Sequence, residues 1–210
     1  MTGAAFLLLA LTLVVAFGNW VAVEREITWL EYLTKPLTMV VLIATALALD
    51  ADSDAALAWF LVALVLCLAG DVFLMLPQDL FVPGLSAFLV GHLAYVGGMV
   101  SLDVRLGLLL VGVLVVLVAM ATLGQRILAA VREAEPPLAM PVAAYIVVIS
   151  AMVATAVGTG RPLAIAGAAS FYASDSLIAW NRFIGPTAHA RAAVMVTYHL
   201  GQIGLVLSLV

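Results

Sequence analysis

The sequence predicts an all-α fold, a polytopic membrane bundle of about eight transmembrane helices that forms a single domain over residues 1–210. Hydrophobic residues make up 66% of the chain and charged residues 10%, and the mean hydropathy is +1.26. A water-soluble domain needs a more polar surface than this composition allows. Polar breaks divide the chain into eight apolar stretches, and roughly 20 apolar residues suffice for a helix to cross a hydrocarbon core of about 30 Å.

The polar breaks set the bounds of the predicted spans, one after another. In chain order the breaks are "EREIT", "DADSD", "PQD", "LDVR", "GQRILAAVREAEPP", "GTGRP" and "NRFIGPTAHAR". The predicted spans are approximately 4–23, 35–50, 55–76, 81–100, 104–123, 138–158, 162–181 and 191–210. The breaks are brief, with the exception of "GQRILAAVREAEPP", so we expect no soluble domain and no linker between domains.

The first two spans differ from the others, one by its position at the start of the sequence and one by its short length. No Lys or Arg precedes Arg25 and no cleavage site is evident, so we expect the apolar start to persist as a span and not to be removed as a signal peptide. The second span is short, because only 14 uncharged residues lie between Lys35 and Asp50. That length gives about 21 Å of helix. Lys35 is therefore expected to open the span and to snorkel toward the head groups.

The charges of the short loops predict the orientation. An even number of spans places both termini on one side of the membrane, and the cytoplasmic side is the one with more Lys and Arg in its loops. With the termini outside, six of the eight basic residues face the cytoplasm, and only Arg105 and Arg161 do not. The prediction is a multi-pass protein of the cell (inner) membrane whose termini are both non-cytoplasmic.

Charge and cysteine content exclude several classes of function. The net charge is −4, and there is no cluster of Lys and Arg that would suit nucleic acid, so nucleic acid is not expected as a partner. Cys67 is the single cysteine, which excludes an intramolecular disulfide, and we expect it to be a small buried hydrophobe. No "GxSxG", "HExxH" or glycine-rich phosphate loop is present, so serine, zincin and nucleotide mechanisms lack their usual residues.

Ionisable residues at membrane depth approach from one side. An Asp at the centre of a transmembrane helix costs about 2.5–3.5 kcal/mol on insertion scales, so each needs a partner or a task. On the predicted topology, Asp71 and Asp175 lie near the cytoplasmic ends of their spans, while His92, His199 and Lys35 lie in spans that begin on that side. We expect these five side chains to share one half-buried cavity.

Helical spacing adds neighbours to this cluster, because residues three or four apart share a helix face. Span four has a stripe formed by Phe81, Gly84, Phe88, His92 and Tyr95. Span seven has a stripe formed by Gly167, Phe171, Ser174, Asp175, Ile178 and Arg182. Its small residues, Gly167 and Ser174, let a neighbouring helix approach closely. Span eight clusters Tyr198, His199 and Gln202.

Four interpretations of the buried polar residues stay open at this point. Polar residues hold membrane helices together at about 0.6 kcal/mol per hydrogen bond, but two carboxylates repel unless a proton or a cation intervenes. A carboxylate pair can divide into an acid and a base for hydrolysis, or relay protons in a small proton-coupled transporter. The candidate ligands of a metal site are Asp71, His92, Asp175 and His199. A metal site is disfavoured, because no two of these residues have the i, i+3 or i+4 spacing of a helical metal pair.

Several segments in order resemble the family of YhhN-like membrane lysoplasmalogenases. They are "TKPLTM" (34–39), "AGDVFLML" (69–76), "FVPGLSAFLVGHLAY" (81–95) and "GAASFYASDSLIAWNRF" (167–183), and "TYHLGQ" (197–202) is also similar. The resemblance implies an eight-helix membrane enzyme that hydrolyses the vinyl ether bond of lysoplasmalogens to a fatty aldehyde and a glycerophospho-alcohol. Its partners would be a lysophospholipid substrate and membrane lipids.

The resemblance also implies roles for single residues. Asp71 and Asp175 would be the catalytic pair, and four residues would line the site or meet the head group, namely Lys35, Gly84, His92 and Arg182. Polar residues near them on the same predicted helices complete the candidates for substrate binding, and these are Tyr95, Ser174, His199 and Gln202. A vinyl ether hydrolyses when its β-carbon is protonated and water captures the resulting oxocarbenium ion. One Asp can donate that proton while the other stabilises the cation and activates water. This chemistry requires neither a metal nor an organic cofactor.

Overall fold

The computed structural model describes residues 2–210, which are helical throughout apart from short connections. The helices are α1 (Gly3–Glu24), α2 (Thr28–Leu47), α3 (Asp54–Met75), α4 (Phe81–Val100), α5 (Leu106–Ala119), α6 (Gln125–Ala134), α7 (Ala139–Thr159), α8 (Pro162–Phe183) and α9 (Ala190–Leu207). Eight helical segments are long and apolar enough to cross a membrane, with α5 and α6 counted as one segment of 29 residues. The predicted all-α, multi-pass membrane bundle is confirmed.

Seven of the helices close into a ring by packing on their neighbours. The order around the ring is α1, α2, α3, α4, α7, α8, α9 and back to α1, and α2 also touches α9. Helix α5 packs outside the ring against α7, and only 11% of the span that begins with it is buried. The ring places the polar faces of α2, α3, α4, α7, α8 and α9 around one interior.

Glycines set the closest approach in this ring, between α8 and α9. A Cβ atom added at Gly167 would lie 2.6 Å from the amide nitrogen of Leu205 and 2.8 Å from the carbonyl oxygen of Gly201. Only a glycine lets two backbones come so near, as small residues do in membrane helix pairs. Ser174 adds a hydrogen bond of 3.1 Å from its Oγ to the Val194 carbonyl on α9. The predicted close packing along this stripe is confirmed.

Two predicted boundaries were wrong, and both errors concern charged residues. Helix α2 begins at Thr28, seven residues before Lys35, and Lys35 is buried inside the bundle. Lys35 therefore neither opens the span nor snorkels, because its ammonium has a buried partner. The expected break 124–137 is mostly helix α6, whose arginines are exposed while Ile127 and Val131 pack inward.

The joint between α5 and α6 is one turn of π-helix, Met120–Gly124. Such turns insert an extra residue into a helix and often occur at functional sites. Here the turn ends at Gly124, which lines a cavity between α6, α7 and α8. The joint thus changes which face of the long span points toward the ring.

Candidate active site

A wide polar vestibule opens at the end of the bundle where α1, α3 and α8 finish and α2, α4 and α9 begin. Its volume is about 950 Å³. Its walls contain acidic and basic side chains in nearly equal number, among them Glu24, Glu31, Lys35, Asp79, Arg182, His189 and Arg191. Most of these charges are paired across helices, so the vestibule is polar without a strong excess of either sign.

Arg182 illustrates this pairing. Its guanidinium donates to Asp79 at 2.9 Å and to Glu135 at 3.4 Å, and it lies 4.1 Å over the ring of Phe81. The hydrogen bond and the positive charge of Arg182 lower the pKa of the exposed Asp79 carboxyl from its usual value. As pH falls through that lowered pKa this pairing is lost, whereas it is fully present above the ordinary range of an Asp.

The first polar cluster lies at the floor of the vestibule and centres on Asp71. Lys35 Nζ on α2 lies 3.4 Å from Asp71 Oδ1, and both side chains are at least nine-tenths buried. The Tyr198 hydroxyl on α9 donates to Asp71 Oδ2 at 2.6 Å. Both carboxylate oxygens therefore have a partner, one of them cationic. These two contacts offset part of the cost of burying the carboxylate.

A chain of hydrogen bonds supports this cluster from behind. The Tyr95 hydroxyl donates to Gln202 Oε1, and Gln202 Nε2 donates to the Tyr198 hydroxyl at 3.3 Å. The Tyr198 hydroxyl in turn donates to Asp71. Tyr95 and Gln202 are fully buried, so they orient Tyr198 and stay away from the vestibule.

The second polar cluster centres on Asp175. The Tyr145 hydroxyl on α7 donates to Asp175 Oδ2 at 2.5 Å, and His92 Nε2 on α4 lies 3.4 Å from the same oxygen. Asp175 Oδ1 makes no hydrogen bond to any residue between 2 and 210. The Asp175 side chain is 12% exposed and forms part of a cavity wall. The free oxygen thus belongs to the exposed part of this carboxyl group.

An aromatic ring separates the two clusters. Phe171 lies one helical turn before Asp175, and its ring centroid is 4.7 Å from that of His92 and 5.2 Å from that of Tyr198. The sequence predicted one shared cavity for five ionisable residues. The structure instead brings four of them into two adjacent clusters, while the fifth, His199, pairs with Trp20. The distance that this ring imposes between the two carboxylates reduces their mutual repulsion.

The cavity beside Asp175 is a narrow apolar groove between α4, α6, α7 and α8. Its volume is about 60 Å³, and Asp175 is the only charged residue in its wall among the described residues. The wall runs along α8 from Tyr172 to Phe183, which is about 16 Å of helix. Leu74, Phe81 and Ile178 line both the groove and the vestibule. These three side chains form the wall between the two spaces, which we call the partition.

The remaining predicted residues have structural surroundings. Gly84 faces Leu74 so closely that an added Cβ atom would lie 2.7 Å from its Cγ, so it brings α4 against α3 behind the partition. Ser174 binds the backbone of α9 and lines neither cavity. His199 Nδ1 accepts a hydrogen bond of 3.0 Å from Trp20 Nε1, and its Nε2 is buried without a partner in residues 2–210.

Sequence reasoning missed Tyr145 and Trp20 of the site. Tyr145 stands alone in the apolar run "PVAAYIVVIS", and Trp20 ends the apolar run "LVVAFGNW". One available signal was position, since Tyr and Trp favour the membrane interfaces and Tyr145 lies within its span. Tyr198 was noticed as a neighbour of His199 without a role. Tyr145 and Tyr198 each donate a hydrogen bond to one of the two aspartates, so both tyrosines belong to the site.

The structure does not bring together a metal site. Within residues 2–210, no three His, Cys, Asp or Glu side chains are placed so that they could hold a metal ion. His92 and Asp175 lie on one side of Phe171, while Asp71 lies on the other. The four ligands considered from the sequence are therefore not arranged around one point.

Comparison with known proteins assigns this chain to a family. The family model described as "YhhN family" matches residues 30–209, which include both aspartate clusters. The chain belongs to the YhhN family. No solved structure matches it.

Curated relatives of this YhhN-family chain have names that state an activity. It is 33% identical over 194 residues to lysoplasmalogenase TMEM86B of Homo sapiens, covering 92% of this chain and 81% of that protein. It is 31% identical over 197 residues to the Sus scrofa protein of the same name, covering 94% and 82%. It is 38% identical over 132 residues to a lysoplasmalogenase of Mycobacterium tuberculosis (strain CDC 1551 / Oshkosh), covering 60% and 50%.

Proposed function

We propose that this YhhN-family chain is a lysoplasmalogenase, a membrane hydrolase that cleaves the vinyl ether bond of lysoplasmalogen to a fatty aldehyde and a glycerophospho-alcohol. The observation that carries the proposal is the pair of buried aspartates, one ion-paired with Lys35 of the vestibule wall and one in the wall of an apolar groove. The names of the relatives support the same activity.

The alternative function, a small proton-coupled transporter, has less support. It requires access from both membrane faces, whereas the vestibule and the groove lie toward the same end of the bundle. At the other end, Arg161 links helices by donating to the Ser208 carbonyl at 2.8 Å and to Asp52 at 2.7 Å. The curated relatives carry the name of an enzyme and not of a transporter.

The two cavities fit the two parts of a lysolipid. The zwitterionic or charged head group would occupy the vestibule, where basic and acidic side chains can meet phosphate and amine groups. The single hydrocarbon chain would enter the groove and displace side chains there, because a volume of about 60 Å³ is too small for the chain. The vinyl ether lies between head group and chain, and would therefore reach the partition. Two partition residues, Leu74 and Ile178, each follow one of the aspartates by three positions on the same helix.

The reaction needs only these carboxyl groups and water. One carboxylic acid transfers a proton to the β-carbon of the vinyl ether. The alkenyl carbon bonded to oxygen, C1, then forms an oxocarbenium ion with that oxygen. Water adds to C1 as the carboxylate partner takes its proton, which gives a hemiacetal. The bond from C1 to the glycerol oxygen then breaks, and that oxygen takes a proton from the carboxyl group that had accepted the proton of water. The carboxylate that had protonated the β-carbon takes the proton of the hemiacetal hydroxyl. The products are an aldehyde and an alcohol, and both carboxyl groups return to their starting state.

The test is turnover by purified protein in detergent or lipid vesicles. Wild-type protein should release aldehyde from lysoplasmalogen, and Asp71→Asn and Asp175→Asn should each abolish this release, since an amide can neither donate a strong acid proton nor carry charge. Asp52→Asn, a carboxylate at the opposite end, is the matched control and should keep turnover. A wild-type protein without turnover would falsify the proposed function.

Asp71→Asn needs one further control. The substitution leaves Lys35 buried without its carboxylate, so loss of turnover could come from loss of folding. The double variant Lys35→Met, Asp71→Asn removes the charge together with its partner. It should elute and unfold like the wild type and remain inactive.

We also propose an orientation and a membrane for the chain. The count of six basic residues against two supports a cytoplasmic vestibule and non-cytoplasmic termini in the cell (inner) membrane. The expected result is that tags at either terminus react with membrane-impermeant reagents in intact cells. Tags that become reactive only after permeabilisation would contradict this orientation and leave the activity untouched.

A further inference from the structure

The hydrogen bonds of the two aspartates differ in a way that distinguishes their roles. Both oxygens of Asp71 have partners, since Oδ1 faces the Lys35 ammonium and Oδ2 accepts from Tyr198. Both contacts of Asp175 fall on one oxygen, Oδ2, and no cation of Lys or Arg pairs with it in residues 2–210. A neutral carboxylic acid has this second pattern, with a carbonyl oxygen that accepts and a hydroxyl that remains free to donate.

We propose that Asp175 is the general acid of the reaction, that its Oδ1 carries the transferred proton, and that Tyr145 is the positioning residue that enforces this placement. The inference rests on the proposed function and deepens it. Tyr145 binds Oδ2 and leaves Oδ1 as the oxygen available to the groove, where the alkenyl carbon would lie. Asp71, ionised beside Lys35, is the partner that accepts the proton of water.

Tyr145 also acts on the energy of the proton transfer. Its hydrogen bond to Oδ2 strengthens as Asp175 loses its proton, because hydrogen bonds to ionised acceptors are stronger than those to neutral ones. The contact is therefore worth more in the transition state than in the ground state. Its removal should lower kcat and leave KM nearly unchanged. The expected loss is about 10- to 100-fold in kcat.

The pH dependence of kcat/KM gives a readout that a merely structural role would not change. A reaction with one acid and one base has a bell-shaped profile, which falls at high pH when the acid has lost its proton and at low pH when the base has gained one. The groups that face Asp175 are Tyr145 and His92, and those that face Asp71 are Lys35 and Tyr198. Removing a donor destabilises the carboxylate it served, so that group holds its proton to higher pH.

The experiment compares Tyr145→Phe with Tyr198→Phe on detergent-purified protein and lysoplasmalogen. Tyr145→Phe should move the high-pH limb upward and leave the low-pH limb in place. Tyr198→Phe should move the low-pH limb upward and leave the high-pH limb in place. The opposite assignment of limbs would make Asp71 the acid and overturn the inference, as would profiles that do not move in Tyr145→Phe.

Three further variants keep the result unambiguous. His92→Gln should retain a high-pH limb, because an acid limb that disappears with His92 would belong to the imidazole and contradict the inference. Tyr172→Phe changes another tyrosine of the same groove and should leave both limbs in place.

Should Tyr145→Phe not fold, 3-fluorotyrosine at position 145 keeps the shape and is a stronger donor, so the high-pH limb should move downward. Wild-type turnover in the same assay separates failure of this inference from failure of the proposed function.

Discussion

Lys35 on α2 and Asp71 on α3 form a buried ion pair, with Nζ and Oδ1 3.4 Å apart and side-chain exposures of 8% and 3%. The pair joins two helices of the ring at the floor of the vestibule. Removing one partner of such a pair leaves an uncompensated charge, whereas removing both often changes stability little. The pair therefore couples folding to the chemistry of the site.

The first prediction is a double-mutant cycle on this pair. Lys35→Met should lower the free energy of unfolding by about 3–5 kcal/mol, which lowers the thermal midpoint in detergent by roughly 10 °C. Lys35→Met combined with Asp71→Asn should recover most of that loss. Additive destabilisation in the double variant would show that the two side chains do not interact.

The second prediction concerns the length of the hydrocarbon chain. Gly124 lines the groove, and an added Cβ atom would lie 3.6 Å from its nearest neighbour, Ile146, so a side chain can be accommodated there. Gly124→Leu should narrow the groove and shift the preference toward shorter chains, measured as kcat/KM over a series of lysoplasmalogens. Gly107→Leu, where an added Cβ atom meets nothing within 4 Å, is the control and should keep the wild-type series. Equal loss for all chain lengths in Gly124→Leu would contradict the placement of the chain.

The third prediction concerns the reactive group. A saturated ether lysolipid has no π-bond to accept the proton from Asp175, so it cannot form the oxocarbenium ion. Its head group and chain are unchanged, and it should therefore act as a competitive inhibitor with a binding constant near the KM of the substrate. Hydrolysis of the saturated ether, or of an ester lysolipid, at rates comparable to lysoplasmalogen would sink the carbon-protonation mechanism.

The fourth prediction concerns the glycine contact between α8 and α9. Gly167→Ala places a methyl group 2.6 Å from the backbone of Leu205, so the helices must move apart. The free energy of unfolding should fall by about 1–3 kcal/mol. Turnover should fall as well, because α9 carries Tyr198 and α8 carries Asp175. Gly107→Ala is the matched control, and its thermal midpoint in detergent should stay within a few degrees of the wild type.

Much of the fold could be predicted from composition and polar breaks alone. Lipid requires long apolar stretches, so the spans are visible without knowledge of any contact. The stripes on spans four and seven were also visible, because helical spacing is a local property, and the structure buries Gly84, His92 and Tyr95 on one face of α4. The approach of Asp71 and Lys35 followed from topology, since both lie at the same end of adjacent spans.

What could not be predicted depended on pairings between distant segments. Lys35 looked like an interfacial residue because its buried partner, Asp71, is 36 positions away along the chain. The placement of Phe171 between the clusters depends on the rotation of α8 relative to α4 and α9, which no local pattern determines. Tyr145 had no polar neighbour in sequence, so only the fold shows that its hydroxyl meets Asp175.

The partition of Leu74, Phe81 and Ile178 divides a polar space from an apolar one. On the proposed placement of the substrate, bond cleavage at this wall would leave each product in the medium in which it dissolves. The glycerophospho-alcohol would be released into water and the aldehyde into hydrocarbon, so neither product would cross the path of the other. Partition of the two products into different phases would then suppress their recombination.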